Sequence, residues 1–294
     1  MVTVESTAYA GWNDCLSLSN GVLEVVCTTE VGPRIVHVGL ADEGNLCHLD
    51  EDAGTIPNDD EWHLFGGHRL WHAPERDGRT DQPDNDAVGV DRHGDVVTFT
   101  QPTEPATNVR KSLTVRLADD APRATITHRL VNEGRWPIEI APWAISVFET
   151  GGTALLPIEA RGTGRTADRT VALWPYTEVD DDRLALDAGA VVVDGRTCEA
   201  DPLKVGVEGR DGWAAYALDG QVLRKEFVRH DDAAYPDRGA AAQVFTDGSM
   251  LELETVGQLE TVDPGQSTAH VEEWTLFDGV DASDPAAVLE AVRP

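Results

Sequence analysis

The stretch Leu251-Glu-Leu-Glu-Thr-Val-Gly-Gln-Leu-Glu260 begins by alternating apolar and charged side chains. A period of two residues is typical of a β-strand with one covered face. On such a strand Glu252 and Glu254 lie on one side, and Leu251 and Leu253 lie on the other. If the carboxylate face lines a cleft, desolvation raises a glutamate pKa toward neutral pH and makes it a useful general base. If that face meets solvent, the two acids are ordinary surface residues.

Short apolar or alternating runs recur along the chain between positions rich in Gly, Pro, Asn and Asp. A helical pattern occurs only at the end, where Asp284 can cap a helix and Pro285 suits its first position. Residues 75–86 are rich in Pro and Asp, which indicates a long loop. The sequence therefore predicts an all-β protein with a short C-terminal helix, forming one domain over residues 1–294. The predicted strands include residues 22–28, 34–38, 95–100, 112–117, 124–131, 138–148, 190–193, 212–217, 241–245, 250–259 and 269–276.

The charge balance of the chain is strongly acidic, with 53 Asp and Glu against 23 Lys and Arg and a formal net charge of −30. Such a surface repels nucleic acid, which we exclude as a partner. In molar salt the Debye length falls to about 3 Å and screens the self-repulsion, so we infer a protein of a salt-rich cytoplasm. The first residues lack a signal-peptide pattern, and no apolar run approaches the roughly 20 residues that span a bilayer. We therefore expect a cytoplasmic protein with no membrane partner.

Metal sites and disulfides are not indicated by the cysteines. Cys15, Cys27, Cys47 and Cys198 are scattered without CxxC spacing. We expect reduced, buried thiols.

The segment richest in unusual residues is Glu61-Trp-His-Leu-Phe-Gly-Gly-His-Arg-Leu-Trp-His-Ala-Pro-Glu75. Its glycine pair lets the backbone approach a ligand, its aromatic rings suit the apolar faces of a sugar, and His, Arg and Glu can bond hydroxyls. His63, His68 and His72 could also ligate a metal, but their spacings of five and four lie on a segment with Gly-Gly and not on a helix. A third interpretation is core aromatic residues with surface histidines.

Three further positions are candidates for ligand contact. Trp143 is either a stacking platform or a core residue. Lys225 is notable because lysine occurs only at 111, 204 and 225; it is either paired with Glu226 or a ligand, or exposed. Asp237 ends the motif Tyr235-Pro-Asp237.

Taken in order, these residues resemble the galactose mutarotase-like superfamily, which includes aldose 1-epimerase relatives, and within it a branch with a GGHRLW-type motif. The likeness spans nearly the whole chain. Its motifs are Leu18-Ser-Asn-Gly-Val-Leu-Glu-Val-Val26, Gly32-Pro-Arg-Ile35, Gly66-Gly-His-Arg-Leu-Trp71 and Leu253-Glu-Thr-Val-Gly-Gln-Leu-Glu-Thr-Val-Asp-Pro-Gly265, followed by His270, Glu272 and Trp274.

The resemblance implies a large antiparallel supersandwich with a sugar cleft on one face. It also implies acid–base chemistry without a cofactor, in which a glutamate deprotonates the anomeric hydroxyl and a histidine protonates the ring oxygen. By motif, Glu254 falls on the glutamate and His68 lies near the first cleft histidine, with His72 as a substitute. The family's second cleft histidine falls near residues 143–145, where this chain has none.

The leading hypothesis is a carbohydrate-active isomerase with Glu254 as base and His68 or His72 as acid, with no metal and no cofactor. One alternative is a non-catalytic carbohydrate-binding or sensing protein, suggested by the missing histidine. Another is a sugar-acid enzyme that binds a substrate carboxylate through its fixed cations. The residues expected to hold the substrate are Arg34, Arg69, Trp71, Glu75, Trp143, Lys225 and Asp237, of which Arg34, Arg69 and Lys225 are the cations for the sugar-acid alternative.

Overall fold

A computed structural model describes residues 1–56, 59, 61–196 and 201–293, so Cys198 lies outside the described residues. The strands of the first half are β1 (Thr3–Tyr9), β2 (Trp12–Ser19), β3 (Leu23–Thr28), β4 (Arg34–Leu40), β5 (Gly67–Ala73), β6 (Gly89–His93), β7 (Val96–Thr100), β8 (Val109–Leu117), β9 (Arg123–Asn132) and β10 (Ile138–Phe148). Those of the second half are β11 (Thr153–Pro157), β12 (Val171–Leu173), β13 (Leu184–Asp187), β14 (Ala190–Asp194), β15 (Leu203–Val207), β16 (Trp213–Leu218), β17 (Gln221–Phe227), β18 (Ala242–Thr246), β19 (Leu251–Val256), β20 (Glu260–Val262) and β21 (Ser267–Phe277). Short 3-10 turns cover Ala53–Thr55 and Asp237–Gly239, and helix α1 covers Pro285–Val292.

These strands form two antiparallel sheets within the described residues. Sheet A has the order β1-β2-β3-β4-β5-β10-β19-β18-β15-β12, and β20 pairs with the start of β10. Sheet B has the order β13-β14-β11-β16-β17-β21-β9-β8-β7-β6. The all-β prediction is confirmed, and so is the antiparallel sandwich that the resemblance implied.

The faces of the two sheets are not covered uniformly, and β16 and β17 of sheet B are buried almost throughout. In β21 of sheet B, buried and exposed residues alternate along most of the strand, so one face packs inward and the other meets water. In β19 of sheet A every residue is buried, and β10 is buried from Ile140 to Phe148. The centre of sheet A is therefore covered on both faces, by sheet B on one side and by side chains and loops on the other.

The predicted C-terminal helix is confirmed. Asp284 Oδ1 accepts a hydrogen bond from the Ala286 amide at 2.9 Å, and Pro285 begins the helix. Within the described part of the chain, no helix has the length and apolar character needed to span a membrane. Cys15, Cys27 and Cys47 are buried free thiols, as the spacing predicted.

Candidate functional site

A row of side chains crosses the centre of sheet A on the face that points away from sheet B, here called the outer face. Arg69 of β5 lies opposite Ile145 of β10, Ile145 opposite Glu254 of β19, and Glu254 opposite Gln243 of β18. Gln243 in turn lies opposite Gly206 of β15. Directly opposite residues of antiparallel strands share one face, so these five positions form one continuous line.

Glu254 lies at the middle of this row and is fully buried. Its Oε2 accepts hydrogen bonds from Trp143 Nε1 at 2.7 Å and from Lys204 Nζ at 2.9 Å. Its Oε1 has no hydrogen-bond partner among the described residues. One carboxylate oxygen is therefore held in place, and the other is free to accept a proton or a hydrogen bond.

Lys204 is a site residue that sequence reasoning missed. Its ammonium lies 4.7 Å from the Trp143 ring centre and 5.1 Å from that of Trp174, so both rings stabilise the charge. A β-carbon on Gly206 would lie 2.8 Å from Ala240 Cβ and 3.3 Å from the Trp174 ring, so the missing side chain makes room for both neighbours. The scarcity of lysine was a usable signal, because the lysines at 111, 204 and 225 are all buried and each pairs with a glutamate.

Arg69 forms the opposite end of the row. Its guanidinium carbon lies 4.5 Å from the Trp71 ring centre and 5.6 Å from that of Trp62, and its Nη2 pairs with Glu252 at 3.0 Å. Its Nε and Nη1 have no partner among the described residues. Burial raises the pKa of Glu252, and nearby Glu254 raises it further, while Arg69 opposes the shift.

Gln243 and Asp237 lie on the other side of Glu254. Gln243 Nε2 donates to Asp237 Oδ2 at 3.1 Å and to the Ala240 carbonyl at 3.0 Å. The Gln243 side-chain oxygen is buried without a partner in the described part of the chain.

Unpartnered polar atoms thus gather on the outer face: Oε1 of Glu254, the side-chain oxygen of Gln243, and two N–H groups of Arg69. Buried polar atoms are almost always hydrogen-bonded in folded proteins, so such a cluster calls for an explanation. Hydroxyl groups match these atoms in chemistry, because a hydroxyl both donates to an oxygen and accepts from a guanidinium. Trp71 and Trp143, whose ring centres are 5.6 Å apart, supply apolar surface beside them.

Glu75 completes the acidic surroundings of this face at an exposed position after β5. Although the residue is exposed as a whole, partial desolvation of its carboxyl raises the pKa of Glu75; Lys204 lowers this pKa, and the charges of Glu254 and Asp237 raise it. Five of the predicted substrate-binding residues thus lie in the region of Glu254: Arg69, Trp71, Glu75, Trp143 and Asp237.

The two predicted acids, His68 and His72, lie on the other face of sheet A. Residues alternate along β5, so Arg69 and Trp71 point outward while His68 and His72 point toward sheet B. His68 Nδ1 contacts Ser146 Oγ at 2.7 Å, and its Nε2 contacts Nε2 of His128, on sheet B, also at 2.7 Å. Burial, with Lys111 and Arg79 adding to it, lowers the pKa of His72 to about 3. The structure thus separates both histidines from Glu254.

The two other predicted substrate cations are both engaged within the protein. Arg34 of β4 lies opposite Arg69, so it continues the row on the outer face. Arg34 is buried, and its Nη2 pairs with Asp84 at 2.6 Å while its Nη1 donates to the Gly66 carbonyl. It therefore anchors the glycine pair to the loop that follows β5. Lys225 of β17 lies between the sheets, 3.3 Å from Glu272 Oε1.

Lys225 belongs to a buried polar group between the sheets, the inter-sheet cluster. Burial alone raises the pKa of Glu272, but Lys225 and the nearby histidines offset this effect and lower it overall. Burial also lowers the pKa of His270 to about 3, and His128 lowers it further. The cluster consists of His68, His128, Ser146, Lys225, Thr255, His270, Glu272 and Trp274.

Hydrogen bonds assign the protons of the inter-sheet cluster. His128 Nδ1 donates to the His270 carbonyl at 3.0 Å, so His128 Nε2 accepts the N–H of His68. Thr255 Oγ1 donates to Glu272 Oε1 at 2.6 Å and accepts from His270 Nε2 at 2.7 Å. All three histidines can therefore remain neutral.

Three atoms of this cluster, from His68, His128 and Glu272, lie within 4.8 Å of one another and could together face a metal ion. They already have partners, since the two imidazoles bond each other and Trp274 Nε1 donates to Glu272 Oε2 at 2.7 Å. An ion would have to separate the imidazoles and sit beside the Lys225 ammonium. The expectation of no metal centre stays a prediction.

Comparison with known proteins identifies the fold. No protein-family model matches the chain, and no curated protein matches its sequence. Among solved structures, a candidate aldose 1-epimerase from Klebsiella pneumoniae superposes with a TM-score of 0.63 at 10% identity, covering 98% of this chain and 85% of that one. A galactose mutarotase-like protein from Clostridium acetobutylicum gives 0.56 at 9% identity, with coverages of 94% and 99%. A galactose mutarotase related enzyme from Lactobacillus acidophilus gives 0.54 at 12% identity, with 91% and 99%. The chain has the galactose mutarotase-like fold.

Proposed function

We propose that this chain binds a carbohydrate on the outer face of sheet A and interconverts the anomers of that sugar, with Glu254 as the base. The observation that carries the proposal is the buried Glu254 carboxylate, with Oε2 held by Trp143 and Lys204 and Oε1 free. A pre-positioned carboxylate with one open acceptor suits removal of a hydroxyl proton.

The surroundings of Glu254 support a sugar as the ligand. The indoles of Trp71 and Trp143 offer faces for the C–H surface of a pyranose. The free oxygen of Gln243 and the free N–H groups of Arg69 lie in the same row and match sugar hydroxyls. The fold also supports this class, since the structures it resembles include proteins described as aldose 1-epimerases or mutarotases.

The reaction begins when Glu254 Oε1 takes the proton of the anomeric hydroxyl. The C1–O5 bond breaks, C1 becomes an aldehyde, and Lys204 donates a proton to O5. After rotation about C1–C2, Lys204 takes the O5 proton back as O5 attacks the other face of C1, and Glu254 returns its proton to O1. Lys204 replaces the histidine acid expected from the resemblance, because it is a proton donor beside Glu254 on the outer face.

The decisive experiment is anomer exchange measured by NMR in molar KCl, over a panel of free aldoses. We expect Glu254→Gln to slow exchange by about 100-fold or more, the usual contribution of a positioned acid or base. Glu273→Gln is the matched control, because Glu273 is an exposed glutamate on the solvent face of β21. Exchange at the wild-type rate in Glu254→Gln would contradict the proposal.

Lys204 has a separate test. We expect Lys204→Met to lose exchange while it retains the circular dichroism spectrum of the native protein. Lys204→Arg keeps the cation and should recover part of the sugar binding. If Lys204→Met catalyses exchange normally, the acid is another group.

A second candidate function is sugar binding without turnover. It is favoured by the Lys204–Glu254 ion pair, since such a pair can hold sugar hydroxyls by hydrogen bonds without any proton transfer. Calorimetric sugar binding that persists in Glu254→Gln, together with no exchange in the wild type, would select this alternative.

A further inference from the structure

A cavity of about 260 Å³ lies at the end of the row that contains Glu254. The row continues from Gln243 to Gly206 and then to Ala172 of β12, which lines the cavity. Trp174 forms a shared wall, because its ring contacts Lys204 and also lines the cavity. The lining residues are Ala172, Leu173, Trp174, Pro175, Asp237 and Arg238.

The chemistry of this cavity is that of a carbohydrate subsite. Trp174 and the exposed Leu173 provide apolar surface, while Asp237 and Arg238 provide an acceptor and a donor. The guanidinium of Arg238 makes no hydrogen bond or ion pair with the described residues, so its donors are available. Asp237 also accepts from Gln243, which links the cavity to the Glu254 site.

The backbone at the rim is held in an unusual conformation. Asp237 and Arg238 both have positive φ, at 50° and 60°, and Gly239 follows at 91°. Two successive non-glycine residues in this region are uncommon and cost free energy. Both polar residues of this turn line the cavity.

We propose that this cavity binds a second sugar ring, so that the substrate is a disaccharide or the reducing end of a longer glycan. The inference rests on the proposed function, because it takes the first ring to lie over Glu254. Three strand spacings separate Glu254 from Ala172, about 14 Å at roughly 4.8 Å each. That separation, which reaches the far wall of the cavity, exceeds what one ring spans. The near wall is closer, because the Trp174 ring centre lies 5.1 Å from Lys204 Nζ, so a ligand that lies over Glu254 and also enters the cavity has at least two linked rings.

The test compares binding of monosaccharides and disaccharides in molar KCl by calorimetry. The probes are glucose and galactose against maltose, cellobiose and lactose. We expect at least one disaccharide to bind about tenfold more tightly than its monosaccharides, as one added charge-assisted hydrogen bond provides. Arg238→Asn removes the guanidinium at a position where asparagine tolerates positive φ, and it should abolish the gain while leaving monosaccharide affinity unchanged.

Trp136→Ala is a matched control for Trp174→Ala, because Trp136 is 77% exposed on the turn between β9 and β10. We expect disaccharide binding to fall in Trp174→Ala only. Monosaccharide binding with no disaccharide gain, or a gain that survives Arg238→Asn, would overturn the second subsite alone. If no sugar of either size binds, the proposed function fails and the subsite fails with it. A disaccharide gain without anomer exchange keeps the subsite and removes the reaction.

Discussion

Replacing Lys225 with methionine should strongly destabilise the protein, because Lys225 and Glu272 form a fully buried ion pair. Methionine keeps the apolar stem but leaves the Glu272 carboxylate without its cation. Trp274 and Thr255 would still donate hydrogen bonds to that carboxylate, so the main loss is electrostatic. Glu272→Gln produces the converse defect, an ammonium that keeps a hydrogen bond to the Leu253 carbonyl at 3.2 Å and the face of the Trp274 ring but has no carboxylate beside it.

The magnitude follows from the 3.3 Å between Lys225 Nζ and Glu272 Oε1. At an effective dielectric constant of about 20, this separation corresponds to about 5 kcal/mol of attraction. Removing one partner of a buried pair typically costs about 3–5 kcal/mol, because the remaining charge stays desolvated. We expect each single variant to lose this much unfolding free energy. The double variant Lys225→Met/Glu272→Gln removes both charges. Its loss of unfolding free energy should be several kcal/mol smaller than the sum of the losses of the two single variants.

Urea unfolding in molar KCl at neutral pH, followed by tryptophan fluorescence, measures the three variants and the wild type. Arg110→Met is a control, because Arg110 pairs with Glu133 at the surface, where an ion pair contributes about 1 kcal/mol or less. Additive losses within about 0.5 kcal/mol would refute the coupling. That result would mean that Lys225 and Glu272 stabilise the inter-sheet cluster independently.

Three further predictions concern pH, salt and ligand charge. Burial lowers the pKa of both His72 and His270 to about 3, below the value near 6.5 that a histidine has in the unfolded chain. The unfolding free energy is therefore retained above about pH 6.5 and falls as the pH drops toward 3. At pH 5 each histidine should lower the unfolding free energy by about 2 kcal/mol. Unfolding free energies at pH 7 and pH 5 check this, and His72→Phe should reduce the difference. The net charge of −30 predicts that the unfolding temperature rises between about 0.1 M and about 1 M KCl, as the Debye length falls from about 10 Å to about 3 Å; calorimetric scans with no salt dependence would contradict it. On the outer face Arg69 and Lys204 are each paired with a carboxylate, so neither cation is left over to neutralise a charged ligand. Neutral sugars should therefore bind about tenfold more tightly than glucuronate or glucose 6-phosphate. Tighter binding of the uronate would instead favour a sugar-acid enzyme.

The local pattern of β19 was sufficient to place Glu252 and Glu254 on one face, opposite Leu251 and Leu253. The same rule, applied to β5, separates His68 and His72 from Arg69 and Trp71. The histidines were expected beside Glu254 because the resemblance placed His68 near the family's first cleft histidine, with His72 as a substitute, whereas both lie on strand β5, which Gly67 begins. Once that strand is recognised, alternation alone puts the histidines on the other face.

Lys204 shows the limit of local reasoning. It pairs with Glu254, which is fifty positions away in sequence. Lys204 lies on β15, Glu254 lies on β19, and β18 lies between these two strands in sheet A. Residues 203–207 were not among the predicted strands. Periodicity states which residues share a face of one strand, but it does not state which strands are neighbours or in which register they pair.

The sequence by itself determined the all-β class, the acidic surface, the C-terminal helix and the shared face of Glu252 and Glu254, because these depend on composition and on the two-residue period of a strand. The tertiary structure decided that Glu254 meets Lys204 and Trp143, that Arg69 pairs with Glu252, and that His68 joins Lys225 and Glu272 between the sheets. Those outcomes depend on strand order, on cross-strand register and on which face of sheet A packs against sheet B. All three are properties of long-range packing, where residues far apart in the chain compete for the same neighbours.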